Sequence, residues 1–274
     1  MSLTAIIAGQ GALPAHLVRS LQGRGDPFVL AEIEGFAAGI PGVDPIRFRV
    51  ERLAPFLDHL AGLGVGQVVF AGAIRRPRIE PELFDARTAT LVPRLLGALQ
   101  AGDDALLRAV IAIFEEWDFT IVGADTVAPD LVPLEGLLAG SPSEADRADA
   151  ARAAEIVAAL GALDIGQGAV VAQGLCLGLE ALPGTDALLS FVAEHAGALR
   201  PDPRGARGIL YKAPKPDQDR RIDLPAIGPD TLAGAHRAGL AGIAWEAGGL
   251  LVVDRARLIA EADRLGLFLW SRAP

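Results

Sequence analysis

In the first half of the chain, short apolar runs that end at glycine alternate with stretches of helical periodicity. Residues 4–8 and 67–71 are such runs, and a helical pattern begins at Leu13 after the first of them. A second helical pattern spans 104–117, and another apolar run follows it at 119–122. Strands that alternate with helices predict a parallel sheet covered by helices on both faces. The first half therefore predicts an α/β domain with a Rossmann-like parallel sheet.

The second half predicts a mixed α/β domain with more hairpins. Residues 169–182 indicate two strands hinged near Gly174, and residues 243–253 indicate a strand pair that turns at Gly248 and Gly249. A glycine pair between two apolar runs is typical of a tight hairpin turn. Helical stretches separate the two pairs along the chain.

The boundary between the halves is marked by a Gly-Ser-Pro-Ser break that ends at Ser143. Ser143 with Asp146 three positions later is a capping-box pattern, which marks the start of a helix. An alanine-rich stretch then runs to about residue 160. We predict two domains, 1–140 and 141–274, with 141–162 as a connecting helix.

Composition excludes several classes of protein. The chain has 274 residues and a net charge of −9, which argues against an electrostatic nucleic-acid binder. Its mean hydropathy of +0.36 is high, yet no charge-free apolar run approaches the roughly 20 residues of a spanning helix. The single cysteine, Cys176, excludes an internal disulfide and a cysteine-built metal cluster, and its place in an apolar strand favours a buried, inert thiol. The N-terminus has no secretory signal pattern, so we expect a cytoplasmic enzyme or small-molecule binder.

Lysine usage points to one segment. Of 25 basic residues, only Lys212 and Lys215 are lysines, and they lie within four positions of each other. A lysine places a compact charge on a phosphate or carboxylate, where arginine imposes a planar fork. The alternative is that these are two solvated side chains of no special role. Tyr211, the only tyrosine, is expected to serve packing.

The loop that follows the lysines is rich in carboxylates. Asp217, Asp219 and Asp223 lie within seven residues, interleaved with Gln218 and Arg221. Carboxylates beside lysines suit a divalent cation together with a phosphorylated ligand, because Mg²⁺ takes carboxylate oxygens and keeps phosphates as further ligands. The alternative is a solvated, charge-balanced loop.

Two other turns are candidate ligand contacts. The segment from Glu180 to Asp186 ends a strand and opens a helix, a natural anion site, although Thr185 could simply cap that helix. In the first half, glycine turns at the ends of two strands resemble part of a nucleotide-binding turn, or are plain tight turns. The residues of these turns that we expect to contact ligand are Gly9, Gln10, Gly11, Gly72 and Arg75.

The segment 208–231, which contains Arg-x-Asp-x-Pro, resembles the UDP-2,3-diacylglucosamine pyrophosphatases of the LpxI type. Shorter segments that resemble the same family are spread over nearly the whole chain, at 8–14, 104–108, 163–168, 180–188 and 238–244. Two departures are Leu188, where the family is expected to prefer Met, and Ala226, where it is expected to prefer Thr.

The resemblance implies hydrolysis of the pyrophosphate of UDP-2,3-diacylglucosamine to UMP and 2,3-diacylglucosamine 1-phosphate (lipid X), with water attacking the α-phosphorus. This step belongs to lipid A biosynthesis and is expected to need Mg²⁺, with Mn²⁺ as an alternative. The family fold implies two α/β domains with the substrate between them. A lipid substrate further implies transient contact of the protein with the cytoplasmic face of the inner membrane. We expect no nucleic-acid partner, and a homodimer is an open alternative.

On this resemblance, the essential aspartate of the family falls on Asp223, which we expect to act as metal ligand or as general base. Lys212 and Lys215 are expected to neutralise the diphosphate. The other carboxylates expected around the metal are Asp219, Asp186 and Glu180. The residues expected to contact substrate are Gly9, Gln10, Gly11, Gly72, Arg75, Thr185, Gln218 and Arg221.

Two alternative functions stay open at this point. One is a nicotinamide-dependent oxidoreductase that uses the turn at Gly9, with Glu32 or Glu34 at about the spacing of a ribose-binding acid. The other is a non-catalytic protein that carries a sugar nucleotide or a lipid.

Overall fold

The computed structural model describes residues 2–74, 78–216, 219–221 and 224–273. The chain divides into two compact units, residues 1–129 and 130–274. The two units have different sheets, and each is described by itself.

The first unit contains a parallel five-stranded sheet, as the strand–helix alternation predicts. Its strand order is β3-β2-β1-β4-β5, and every neighbouring pair is parallel. β1 is buried along almost its whole length, which is the pattern of a strand covered on both faces. The strands are β1 (Leu3–Ala8), β2 (Phe28–Ile33), β3 (Ile46–Phe48), β4 (Val65–Ala71) and β5 (Thr120–Ile121).

The helices of this unit follow local signals. In the first helix Pro14 occupies the first turn, where no backbone N–H is needed, and Gly25 ends the helix in a left-handed conformation with φ of 69°. Asp85 caps a later helix by accepting the backbone N–H groups of Arg87 and Thr88. The helices are α1 (Leu13–Arg24), α2 (Leu53–Gly62), α3 (Ala86–Ala101), α4 (Asp103–Glu115) and α5 (Ala124–Val127).

The second unit contains a mixed six-stranded sheet of order β6-β13-β11-β9-β7-β8. β9, β11 and β13 are parallel to one another, while β6, β7 and β8 run antiparallel to their neighbours. A separate parallel pair joins β10 to β12. The strands are β6 (Gly136–Ala139), β7 (Gly168–Ala172), β8 (Leu175–Leu179), β9 (Ile209–Lys212), β10 (Ala226–Ile227), β11 (Gly242–Glu246), β12 (Leu251–Val252) and β13 (Phe268–Arg272).

Helices cover both faces of this sheet. One face packs Leu210 and Trp245 against α7, α8 and α9, and the other packs Ile209 and Tyr211 against α6. Consecutive residues of β9 therefore face opposite layers, as strand geometry requires. The helices are α6 (Glu144–Ala162), α7 (Gly184–Phe191), α8 (Pro229–Arg237) and α9 (Arg255–Leu265).

The boundary between the units lies before the position that the sequence suggested. We placed residues up to 140 in the first domain, but β6 hydrogen bonds to β13 and belongs to the second unit. The predicted capping box at Ser143 is present, with its hydroxyl accepting the N–H of Asp146. The helix that it begins, α6, packs on β7 and β9, so it is a layer of the second unit and not only a connection.

One predicted hairpin is wrong and the other is confirmed. β7 and β8 form a hairpin that turns at Gln173 and Gly174. Cys176 on β8 is exposed, so the expectation of a buried thiol is wrong. The apolar runs on either side of Gly248 and Gly249 do not pair with each other, because β12 pairs with β10 instead. A Cβ at Gly249 would lie 2.7 Å from Cδ of Pro214, so this glycine serves close packing against a loop.

In the described parts of the chain, no helix has both the length and the apolar character needed to cross a bilayer.

Candidate functional site

A row of side chains crosses the second sheet near the carboxyl ends of its parallel strands. Lys212 is the register partner of Gly168 on one side and of Trp245 on the other, and Trp245 is the partner of Ser271. Glu180 extends the row, because its N–H donates to the carbonyl of Gly168 at 2.8 Å. Register partners point to the same face of a sheet. Five residues from five separate segments are therefore aligned on one face.

Lys212 lies at the centre of this row and is 2% exposed. Its Nζ donates to Oγ1 of Thr185 at 2.5 Å and lies 3.4 Å and 3.2 Å from Oε1 and Oε2 of Glu180. The Thr185 hydroxyl donates in turn to Oε1 of Glu180 at 3.1 Å. The three side chains form a closed triangle. A solvated lysine without a special role is thus excluded for Lys212.

Gly168 makes room for the triangle. A Cβ at this position would lie 2.3 Å from Oε2 of Glu180, closer than carbon and oxygen can approach. The Glu180 carboxylate, itself 6% exposed, therefore lies against Gly168 of β7 and reaches Lys212 on β9, the strand beyond it. Oε2 of Glu180 is within ion-pair distance of Nζ but accepts no hydrogen bond of good geometry from the part of the chain that the structure describes.

Thr185 does not cap α7. The residue before that helix is Pro183, which makes no side-chain cap, and the Thr185 hydroxyl is taken by Lys212 and Glu180. The alternative in which Thr185 serves only as a cap is therefore wrong. The first N–H groups of a helix have no partner within the helix, and the positive end of the helix dipole lies there. A buried ammonium beside the start of a helix has the chemistry that binds a phosphate.

Lys215 has a different partner. Its Nζ lies 2.5 Å from Oδ1 of Asp164, which follows α6 with a φ of 54°. The two lysines thus hold separate carboxylates. Tyr211 and Ala213 face α6, which confirms packing as the role of the tyrosine. Burial raises the pKa of Tyr211, against the opposing effect of the Arg272 side chain.

Part of the acidic loop folds back on itself. Asp219 accepts both the backbone N–H and the guanidinium of Arg221, at 3.0 Å from N and 2.7 Å from Nη2. Residues 220 and 221 lie in a turn, so this part of the loop is not extended. Three residues of the predicted site lie outside the described residues: Asp223, Gln218 and Arg75.

The described carboxylates do not assemble a metal site. Glu180 is bound to Lys212 and Thr185, Asp219 is bound to Arg221, and Asp186 is exposed in the first turn of α7. Within residues 2–74, 78–216, 219–221 and 224–273, no three His, Cys, Asp or Glu side chains converge on a point that could hold a metal ion. Asp223 lies outside these ranges.

The glycine turns of the first unit contact each other. The N–H of Gly9 donates to the carbonyl of Ala71 at 2.8 Å, and Gln10 forms an antiparallel bridge with Ala73. A Cβ at Gly9 would lie 2.5 Å from the carbonyl oxygen of Ala73, and one at Gly72 would lie 2.6 Å from that of Gln10. The close approach of two backbones therefore accounts for both glycines.

The acidic residue that a dinucleotide site would need is already engaged. Glu32, at the end of β2, is 3% exposed and accepts the N–H of Ala38 at 2.8 Å. Glu34 accepts a guanidinium hydrogen of Arg49 at 3.1 Å. Neither carboxylate is arranged to receive ribose hydroxyls, so the structure gives no support to the oxidoreductase alternative.

Comparison with known proteins agrees with the two-unit fold. The family model of the LpxI N-terminal domain matches residues 3–131, and that of the LpxI C-terminal domain matches residues 134–270. The chain belongs to the LpxI family. A relative from Caulobacter vibrioides, UDP-2,3-diacylglucosamine pyrophosphatase LpxI, is 42% identical over 274 residues, which cover 98% of this chain and 97% of the relative.

Membership of the LpxI family confirms the resemblance and the expectation of two α/β domains, the first with a parallel sheet and the second with a mixed one. Sequence reasoning had selected Lys212, Glu180 and Thr185 but had not related them to one another. It missed Gly168, Ser271 and Trp245 altogether, although the family-like segment 163–168 ends at that glycine.

Proposed function

We propose that the chain hydrolyses the pyrophosphate bond of UDP-2,3-diacylglucosamine to UMP and 2,3-diacylglucosamine 1-phosphate, a step of lipid A biosynthesis. The observation that carries the proposal is the match, over 98% of the chain, to a relative named for a pyrophosphatase of that substrate. The buried Lys212 beside the start of α7 supplies the cationic group that the reaction requires.

Hydrolysis of a diphosphate needs neutralisation of the phosphoryl oxygens and a positioned water. In the proposed reaction, a water oxygen bonds to the α-phosphorus while the bond from that phosphorus to the bridging oxygen breaks. The bridging oxygen leaves with the β-phosphate, which becomes the 1-phosphate of the sugar. Lys212 stabilises the negative charge, and Asp223 accepts the proton of the water.

Exposed apolar side chains lie near Glu180 in the sequence and at the end of α7. Leu179 and Leu182 flank Glu180 and are 46% and 90% exposed, and Phe191, at the other end of α7, is 52% exposed. A diacylated substrate needs apolar contacts, and these exposed side chains of the second unit are candidates for them. They also support the proposal of transient contact with the cytoplasmic face of the inner membrane, where such a lipid is found.

The proposal includes a requirement for Mg²⁺, or Mn²⁺, with Asp223 as a ligand. It comes from the family resemblance, since Glu180 and Asp219 are bound to other side chains and the described carboxylates do not converge on one point. No step above depends on the ion, and a chelator tests the requirement directly. The homodimer stays a prediction.

The test is UMP release from UDP-2,3-diacylglucosamine by the wild type, by Asp223→Ala and by Asp263→Ala as a matched control. Asp263 is an exposed aspartate on α9. We expect release by the wild type and the control, and its loss in Asp223→Ala at an unchanged melting temperature. No release by the wild type with Mg²⁺, Mn²⁺ or other divalent ions would contradict the proposal. Release that survives Asp223→Ala or a chelator would contradict the role of Asp223 or of the metal.

A further inference from the structure

Glu180 faces a cation, the ammonium of Lys212. Both of its carboxylate oxygens lie within 3.4 Å of Nζ of Lys212, and Oε1 also accepts the Thr185 hydroxyl. The sequence suggested this carboxylate as a ligand for a divalent ion. We propose instead that Glu180 is a positioning residue for Lys212, and that Gly168 is the position that permits it. This inference rests on the proposed function, in which Lys212 contacts the diphosphate.

The physical need for such a partner follows from burial. A charged ammonium that is removed from water is strongly destabilising unless an opposite charge lies beside it. A lysine side chain also has four rotatable bonds, so its charge is poorly placed unless other groups fix it. Glu180 satisfies the first need, and Glu180 together with Thr185 satisfies the second.

The donor count leaves one N–H of Lys212 for a ligand. An ammonium has three N–H donors, and Thr185 and Glu180 are its two partners among the described residues. The hydroxyl of Thr185 completes the arrangement, because it accepts from Lys212 and donates to Glu180. With both partners in place, one N–H donor of Lys212 is left over, and in the proposed function it would donate to an anionic oxygen of the diphosphate.

Gly168 provides a selective way to disturb the arrangement. In Gly168→Ala, the new Cβ would lie 2.3 Å from Oε2 of Glu180, at the end of a flexible side chain. The carboxylate can move away while the backbone stays in place. This variant therefore displaces the charge of Glu180 without removing it, whereas Glu180→Gln removes the charge and keeps the size of the side chain.

The first measurement is a double-mutant cycle on UMP release. We expect Glu180→Gln and Gly168→Ala each to lower kcat/KM by about 100-fold, the size of effect that a misplaced reacting group produces. Thr185→Val, which removes the hydroxyl, should also lower kcat/KM, and Thr185→Ser, which restores the hydroxyl, should lose less activity than Thr185→Val. In a Lys212→Met background, Glu180→Gln should have no further cost, because the group that it positions is gone.

Two kinetic results would overturn the proposal. Equal fold-losses for Glu180→Gln in the presence and absence of Lys212 would show that Glu180 acts independently of the lysine. Recovery of Glu180→Gln at raised Mg²⁺, without recovery of Lys212→Met, would show that Glu180 is a metal ligand.

A second measurement does not depend on activity. The chain has only two lysines, so labelling with ¹³C,¹⁵N-lysine gives two sets of side-chain NMR signals. We expect Glu180→Gln and Gly168→Ala to shift the Lys212 signals and leave those of Lys215, which is bound to Asp164, in place. Unchanged Lys212 signals would overturn the inference. If the wild type releases no UMP, the proposed function fails, but these spectra still decide whether Glu180 holds Lys212.

Discussion

The carboxylate of Asp149 holds the tip of the β7–β8 hairpin, and its removal should weaken the second unit specifically. Asp149 lies on α6, is 2% exposed, and accepts the backbone N–H groups of Gln173 at 2.9 Å and Gly174 at 2.7 Å. Both residues have positive φ angles, of 53° and 78°. A positive φ is unfavourable for Gln173, which has a Cβ, and not for Gly174. The carboxylate offsets that cost and ties the hairpin to the helix.

The expected loss can be worked out from these two contacts. A hydrogen bond to a charged acceptor contributes about 1.5–3 kcal/mol. Gly174 is exposed, so water replaces part of what the carboxylate gives. We therefore expect Asp149→Ala to lower the free energy of unfolding by about 2–4 kcal/mol, and Asp149→Asn, which keeps one acceptor oxygen, by about half of that.

The assay is urea unfolding followed by tryptophan fluorescence in a Trp117→Phe background. Trp245 and Trp270 then report on the second unit alone, since both belong to it. Glu155→Ala is the matched control, because Glu155 lies on the same helix and, among the described residues, contributes an exposed ion pair with Arg152 and no other polar contact. It should cost less than about 0.5 kcal/mol. Equal unfolding midpoints for Asp149→Ala and Glu155→Ala would refute the reasoning.

Three further predictions concern glycine packing, pH and a buried hydroxyl. Gly9→Ala places a Cβ 2.5 Å from the carbonyl oxygen of Ala73 and should lower the melting temperature of the first unit. The control is Gly97→Ala, in open space within α3, which should raise the free energy of unfolding by about 0.5–1 kcal/mol. Equal effects of the two substitutions would show that the turn at Gly9 adjusts freely. Burial alone would raise the pKa of Glu51, but hydrogen bonds from backbone N–H groups and from the Arg49 guanidinium lower it overall. The Glu51 carboxylate therefore stabilises the fold at pH values above its pKa in the unfolded chain, and this contribution is lost as the pH falls below about 4. The difference in melting temperature between the wild type and Glu51→Gln should thus shrink on acidification, and a constant difference would contradict the assignment. Ser271→Ala removes a buried hydroxyl that has no hydrogen-bond partner among the described residues, and it should raise the free energy of unfolding by about 1 kcal/mol in urea titrations. A decrease would mean that the hydroxyl is hydrogen bonded in solution.

Patterns that depend on neighbouring residues were readable from the sequence. The runs that became β1 and β4 are apolar because both faces of that sheet are covered, and the capping box at Ser143 is satisfied within one helical turn. α3 is different, since it contains Pro93 and mostly half-buried or exposed side chains, and its periodicity did not identify it.

Strand pairing was only partly readable. A turn of positive φ at Gln173 and Gly174 makes a hairpin by itself, and the prediction there is confirmed. The glycines at 248 and 249 gave the same local signal, but packing against Pro214 and the pairing of β12 with β10 decided the outcome. A turn signal states where a chain can reverse and does not state which strand it meets afterwards.

By itself, the sequence determined the class of the two domains, the segments that matter and the family, because these follow from periodicity, residue type and long stretches of motif. Only the tertiary structure decided which charges meet. Lys212 and Glu180 are 32 positions apart and meet because β7 lies between their strands and carries glycine at the crossing point. Lys215, three residues further on, turns to Asp164 and the other layer. Charge partners of this kind depend on strand register and on the face of the sheet to which each side chain points. Neither can be predicted from the neighbouring residues in the sequence.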